Sequence, residues 1–161
     1  MKKFIVLFLF VIIYCGGSVN NVFALSKNNN KAFYILKIKK RFKDVVFNLK
    51  QSIINDNYVI VSVNPISQGI QGIGKKISKL DVIEFCNLSY AYDILNGNKN
   101  YAAFMPCRVA VYKQGKYVVI IGFLPSFALK FFKNNTPMMK KTALKVSRQM
   151  VSIINSVKDG F

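Results

Sequence analysis

Residues 81–123 read DVIEFCNLSYAYDILNGNKNYAAFMPCRVAVYKQGKYVVIIGF, and two cysteine-bearing segments divide the stretch: Glu84-Phe85-Cys86-Asn87 and Met105-Pro106-Cys107-Arg108. Val82 to Cys86 alternates β-branched and aromatic residues with polar ones and predicts a strand. Leu88 to Leu95 predicts a short helical insert, capped by Asn87 or Ser89 and ended at Gly97. Cys107 to Lys113 and Lys116 to Phe123 predict a hairpin around Gln114-Gly115. Tyr117 to Ile121 is apolar without a break, as in a strand covered on both faces, and Pro125 ends the ladder.

Upstream of this stretch, Ala32 to Lys40 reads as a strand, and Phe42, Val45, Val46, Leu49, Ile53 and Ile54 recur at the spacing of one helical face. Tyr58 to Val63 is a further strand, closed by Asn64-Pro65. Gly69 to Lys76 copies the spacing of a phosphate-binding P-loop, but Lys76 stands where a hydroxyl residue would hold magnesium. A mobile glycine-punctuated loop is the expectation there.

Downstream, Thr136 can cap a long helix with Pro137 at its first position. Met139, Ala143, Val146, Met150, Ile153 and Val157 form one stripe along it. The order is strand, helix, four strands, helix. It predicts an α+β domain of β-α-β(4)-α type, an antiparallel sheet with two main helices on one face plus the short insert.

A chain of 161 residues supports one such domain. Residues 1–24 read as a secretory signal, with Lys2 and Lys3 before the apolar run Phe4 to Tyr14 and Val22-Phe23-Ala24 as the cleavage site. That run is shorter than the roughly 20 residues a spanning helix needs. Residues 25–31 form a polar linker and 32–158 the domain, so an exported protein of the periplasm or cell envelope is expected. Ile12-Ile13-Tyr14-Cys15-Gly16 loosely copies a lipid-attachment box, with bulky Tyr14 in place of a small residue.

The formal charge is +18, from 24 basic against six acidic residues. Such a balance attracts anionic partners. Arg41, Arg108 and Arg148 are the only arginines, and bidentate base or phosphate recognition favours Arg. Specific nucleic-acid binding is therefore not expected, while weak attraction to an anionic membrane surface is. The chain has no histidine, which removes the commonest general base, the commonest metal ligand and any Cys-His nucleophile pair. No two carboxylates are spaced to meet by local geometry, and no Cys-x-x-Cys occurs. The sequence implies no catalytic set, metal or cofactor and leans away from an enzyme.

At the cysteine segments the chain resembles the domain of unknown function 302 family. Val82 to Asn87, then Tyr90-Ala91 and Leu95, then Ala102 to Val111 as AAFMPCRVAV carry the resemblance, and the helix start at Phe42 to Lys50 is similar as well. The likeness covers roughly residues 31–157. It implies a β-α-β(4)-α fold of the TATA-binding-protein-like type, often dimeric, with no established activity. Leu88 departs from the proline the family usually has after Cys-Asn.

After signal removal Cys86 and Cys107 are the remaining thiols. Three readings stand beside one another: a disulfide, which a loop of this size stabilises by roughly 3 kcal/mol; a reactive thiol favoured by a helix start or by Arg108; and two separate buried small residues. If Ile83 and Phe85 face the core, Glu84 and Cys86 face away, whereas Cys107 shares a face with Val109 and Val111. The thiols then meet only if one has already left its strand.

The favoured function is an exported, non-catalytic binding or accessory protein. Its small apolar or anionic ligand would sit between sheet and final helix, with Phe127, Phe131, Met139, Val146 and Met150 as groove candidates. One alternative is a thiol-dependent redox or sulfur-handling protein using Cys86, Cys107 and Arg108 with Glu84 and Asn87 beside them. Another is a homodimeric envelope-interaction module with a basic surface.

Overall fold

The structure, a computed structural model, describes residues 31–158. The expected signal at 1–24, Cys15 and the linker up to residue 30 lie outside the described residues. Five strands form one antiparallel sheet: β1 (Phe33–Ile38), β2 (Val59–Asn64), β3 (Leu80–Cys86), β4 (Cys107–Gln114) and β5 (Tyr117–Phe123), in the order β1-β5-β4-β3-β2. Consecutive strands from β2 to β5 are neighbours, and β1 closes on β5 from the far edge. The helix α1 (Phe42–Asn55) carries the chain across the sheet from one edge strand to the other.

One face of the sheet is covered by α1 and by α5 (Pro137–Ser156). Alternation along each strand supplies the inward side chains: Ile83 and Phe85 from β3, Val109 and Val111 from β4, Val118 and Ile120 from β5, all essentially inaccessible. Val45, Leu49 and Ile53 of α1 and Met150, Ile153 and Ile154 of α5 meet them. Full burial of each such aliphatic stabilises by about 1.5–3 kcal/mol. The start of α5 is set as its sequence predicts. Thr136 accepts from the Met139 amide at 3.2 Å, and Pro137 occupies the first helical position.

The hairpin between β4 and β5 turns on Gly115 and Lys116, with Gln114 paired to Tyr117. Gly115 has φ 58°, a conformation suited to glycine at the first position of a two-residue hairpin turn.

The expected loop over Gly69 to Lys76 is corrected. Ile66–Gly72 is a helix, α2, and only the following residues run as coil into β3. Two glycines make this a poor helix on propensity. Packing overrides that: Ser67 is buried and accepts the Leu80 amide at 3.1 Å, which ties the helix to the start of β3. The first glycines of the P-loop-like spacing are thus helical and form no phosphate cradle. Two further short elements go unread in the sequence, a 3-10 helix at Lys99–Phe104 and α4 (Pro125–Ala128). Both lie between larger elements, and the Met105–Pro106 peptide that leads into β4 is cis.

Gly122 of β5 lies under α5 where an added methyl group would crowd its neighbours. A Cβ there would lie 3.1 Å from Ile154 Cδ1 and Val109 Cγ1 and 3.2 Å from Met150 Cε. Gly122→Val is expected to lower stability by about 1–3 kcal/mol through overpacking. Gly69→Ala in α2, where an added methyl meets nothing, should be neutral or stabilise by up to about 1 kcal/mol. Urea midpoints of the two variants check both.

Candidate functional site

Asn87 makes the corner between β3 and α3 (Leu88–Leu95). Its Oδ1 accepts the Tyr90 amide at 3.2 Å as the helix cap, and its Nδ2 donates to the Asn57 carbonyl at 3.0 Å. Asn57 sits at φ 62° between α1 and β2, so one side chain joins two corners. Leu88, the departure from the family pattern, is the first residue of α3 and highly exposed. Proline is tolerated at that position as well, because the first helical amide has no intrahelical partner.

The buried residues fall into two clusters. The larger lies between the sheet, α1 and the C-terminal half of α5, and the smaller holds Ile94, Tyr101, Ala128, Met139 and Ala143 under the other half of α5. Between them lies an apolar cavity of about 60 Å³. Tyr58, Tyr90 and Val146 line it from the side of the first cluster, Ala143, Tyr101 and Phe104 from that of the second, and Cys86 and Cys107 both contribute to its wall. The volume exceeds what one water needs, and it is less than half of the roughly 150 Å³ that houses benzene in an engineered apolar cavity.

The two thiols thus share one site, and among the described residues both are free. Ile83, Phe85, Val109 and Val111 obey the expected alternation, and Phe85 pairs with Cys107 across β3 and β4. Cys86 is the last residue of β3, where the chain leaves the sheet for α3, which is how a residue of the opposite phase reaches the same cavity. Burial pushes the Cys107 thiol up to about 12, reinforced by Cys86 nearby, and burial raises Cys86 as well. Both hold their protons at neutral pH.

The polar surroundings of the cavity are satisfied internally. The Tyr58 hydroxyl donates to Gln149 Oε1 at 2.9 Å, and its ionisation is pushed far up, chiefly by burial and then by Cys107. Its ring stands edge-on to Phe85 at 5.4 Å and Tyr90 at 6.2 Å. Lys145 Nζ lies 4.6 Å over the Tyr90 ring, and Tyr101 donates to Asn135 Oδ1.

Other residues singled out in the sequence are placed elsewhere. Glu84 accepts from Ser62 at 2.8 Å and pairs with Arg108 at 3.8 Å, and neither Glu84 nor Arg108 lines the cavity. The guanidinium next in sequence to Cys107 is therefore engaged with a carboxylate. Met139 and Met150 are fully buried core side chains, Val146 alone of the groove candidates lines the cavity, and Phe127 and Phe131 belong to an aromatic group around Phe104 and Phe123. Tyr58, Tyr90 and Ala143 were not legible as site residues. Tyr58 and Ala143 look like ordinary core positions, and their only signal is position beside an element end or a small residue on a large stripe.

The family model described as "Domain of unknown function DUF302" matches residues 34–157. Among solved structures, the chain is similar to the crystal structure of an uncharacterized conserved protein DUF302 from Bacillus stearothermophilus. The TM-score is 0.71 at 18% identity, covering 78% of this chain and 98% of that one. At that identity the likeness concerns the fold. No curated protein matches the chain.

The raised Cys107 thiol gives stability a direction with pH. Above about pH 8.5 the unfolded chain releases a thiol proton that the folded chain keeps until about 12. The folded state then binds more protons, so stability falls as pH rises through that window. Tyr58 adds to the fall only above about pH 10. Denaturant midpoints at pH 8 and pH 9.5 should therefore drop in the native sequence and drop less in Cys107→Ala.

Proposed function

The chain belongs to the domain of unknown function DUF302 family, and from the cavity beneath α5 we propose that it is a non-catalytic binding protein for a small apolar or amphipathic ligand. The ligand's apolar end would enter between Tyr58, Tyr90, Ala143 and Val146, with Asn87 and the two protonated thiols at the wall. The observation that carries this reading is a cavity with an almost wholly apolar lining where the two buried clusters meet. Sites for small molecules have this character, apolar with few polar groups to set orientation.

The alternative, a thiol pair that cycles with a disulfide, is favoured by Cys86 and Cys107 sharing one wall. It is disfavoured by the upward shift of both thiols, because thiolate is the attacking form. Arg108, turned to Glu84, offers no thiolate stabilisation. The signal-like residues 1–24 belong to the same proposal: an exported binder or accessory protein of the cell envelope.

Native mass spectrometry of the purified protein with and without reductant tests the two readings together. A small apolar adduct, with a protein mass that reductant leaves unchanged, is the expected result. No adduct together with a gain of two hydrogens on reduction would replace binding by the disulfide reading. Ala143→Leu, which narrows the cavity, should reduce the adduct and weaken the chemical-shift response of the cavity tyrosines to 1-hexanol.

A further inference from the structure

The antiparallel ladder places the junction of β1 with α1, the entry to β3 and the β4–β5 turn at one end of the sheet, opposite the cavity. Three separate chain segments there line a shallow groove of about 710 Å³ with Lys39 and Lys43, with Lys79, and with Lys113 and Lys116. The Lys113 amide donates to the Lys79 carbonyl at 2.8 Å, which fixes two of these segments side by side. Two further cations at the groove are engaged. Lys40 donates to the Val157 and Lys158 carbonyls at 2.8 and 2.7 Å, and Arg41 holds Asp44 at 2.7 Å. Asp44 is the one carboxylate of the lining, and Arg41 neutralises it.

In the coil that runs from α2 to Lys79 of this groove, Ile73 and Ile77 are 74% and 40% accessible, with Lys75 and Lys76 between them. Aliphatic side chains interleaved with ammonium groups suit the boundary of headgroup and acyl chain in a bilayer. Among the described residues no helix is long and apolar enough to cross a membrane.

We propose that this end of the domain docks on a bilayer surface rich in anionic phospholipid, with the lysine groove over the headgroup phosphates and Ile73 and Ile77 entering the interface. Flexible ammonium groups attract phosphates as point charges, and lysines near an anionic leaflet add their attractions. Bidentate recognition of bases favours guanidinium groups, and the groove's single arginine is paired with Asp44. These two features favour the lipid surface over a nucleic acid. The inference is independent of the cavity, which lies at the other end of the strands.

The test is co-sedimentation of the full chain with vesicles of phosphatidylglycerol and phosphatidylcholine, against phosphatidylcholine alone, at low and high salt. Every variant shares residues 1–30, so differences between variants report on the folded domain. Binding should require the anionic lipid and weaken as salt shortens the screening length. Replacing Lys39, Lys43, Lys79 and Lys116 with Gln should lower the partition at least about tenfold. The same charge removal at exposed Lys99, Lys133, Lys140 and Lys141 should change it little. Ile73→Ser with Ile77→Ser should remove the part of binding that survives high salt. Equal losses in the two lysine sets would overturn the proposal in favour of unspecific net charge. Tighter binding of single-stranded RNA than of the vesicles through the same four lysines would also overturn it. Circular dichroism of each variant excludes unfolding as the cause of a loss.

Discussion

The apolar stripe of α5 is the contact on which the rest of the molecule depends. Its C-terminal half, with Met150, Ile153 and Ile154, lies on the sheet over Gly122 and against α1. Its N-terminal half, with Met139 and Ala143, packs with α3, the 3-10 helix and α4. One rigid helix therefore spans two hydrophobic clusters that have different partners. Side chains that fill both ends of such a span need not fill its middle, and the cavity sits where the clusters meet. At Ala143 and Ala128 the residues facing that seam are too small to close it, which makes the void a consequence of composition at two positions as well as of geometry.

The same seam explains the electrical character of the thiols. Cys107 begins β4 in phase with Val109 and Val111, so alternation delivers it to the apolar side. Cys86 reaches the seam by ending its strand. With aromatic and aliphatic walls, burial dominates and the neutral form is favoured. A nucleophilic cysteine needs the opposite surroundings, a helix N-terminus or a cation aimed at the sulfur. Here Asn87 occupies the cap of α3 and Arg108 lies across the sheet with Glu84, so the two groups that flank the thiols in sequence are both committed elsewhere.

Much of the fold is legible in the sequence because long periodic elements carry their own signal. Val45, Leu49 and Ile53 mark the buried face of α1, Thr136 and Pro137 mark the start of α5, and Ile83 and Phe85 against Val109 and Val111 set the sheet's phase. Family membership was legible from the two cysteine segments, which make the strand ends around the α3 insert. Elements that exist through tertiary contact escaped: α2 carries Gly69 and Gly72 and depends on Ser67 meeting Leu80. The site escaped in part for a related reason. The sequence leaves three readings of Cys86 and Cys107 open, their common place on the cavity wall depends on a chain leaving its strand, and Tyr58, Tyr90 and Ala143 have no chemistry that distinguishes them from core.

The placing of a second apolar layer at one end of the sheet and a lysine-lined groove at the other follows from topology. In an antiparallel meander successive connections alternate between the two ends of the sheet. At one end fall the connections that carry α3, the 3-10 helix and α4, rich in aromatic residues, and these build a second hydrophobic layer against α5. At the other end fall the β4–β5 turn, the three residues between β1 and α1, and the coil before β3. These segments are too short or too exposed to bury a layer of their own, and lysine is tolerated in them because its charge stays in water. Part of a basic composition spread along the whole chain is thereby gathered at this end, where Lys39, Lys43, Lys79, Lys113 and Lys116 come from three separate segments.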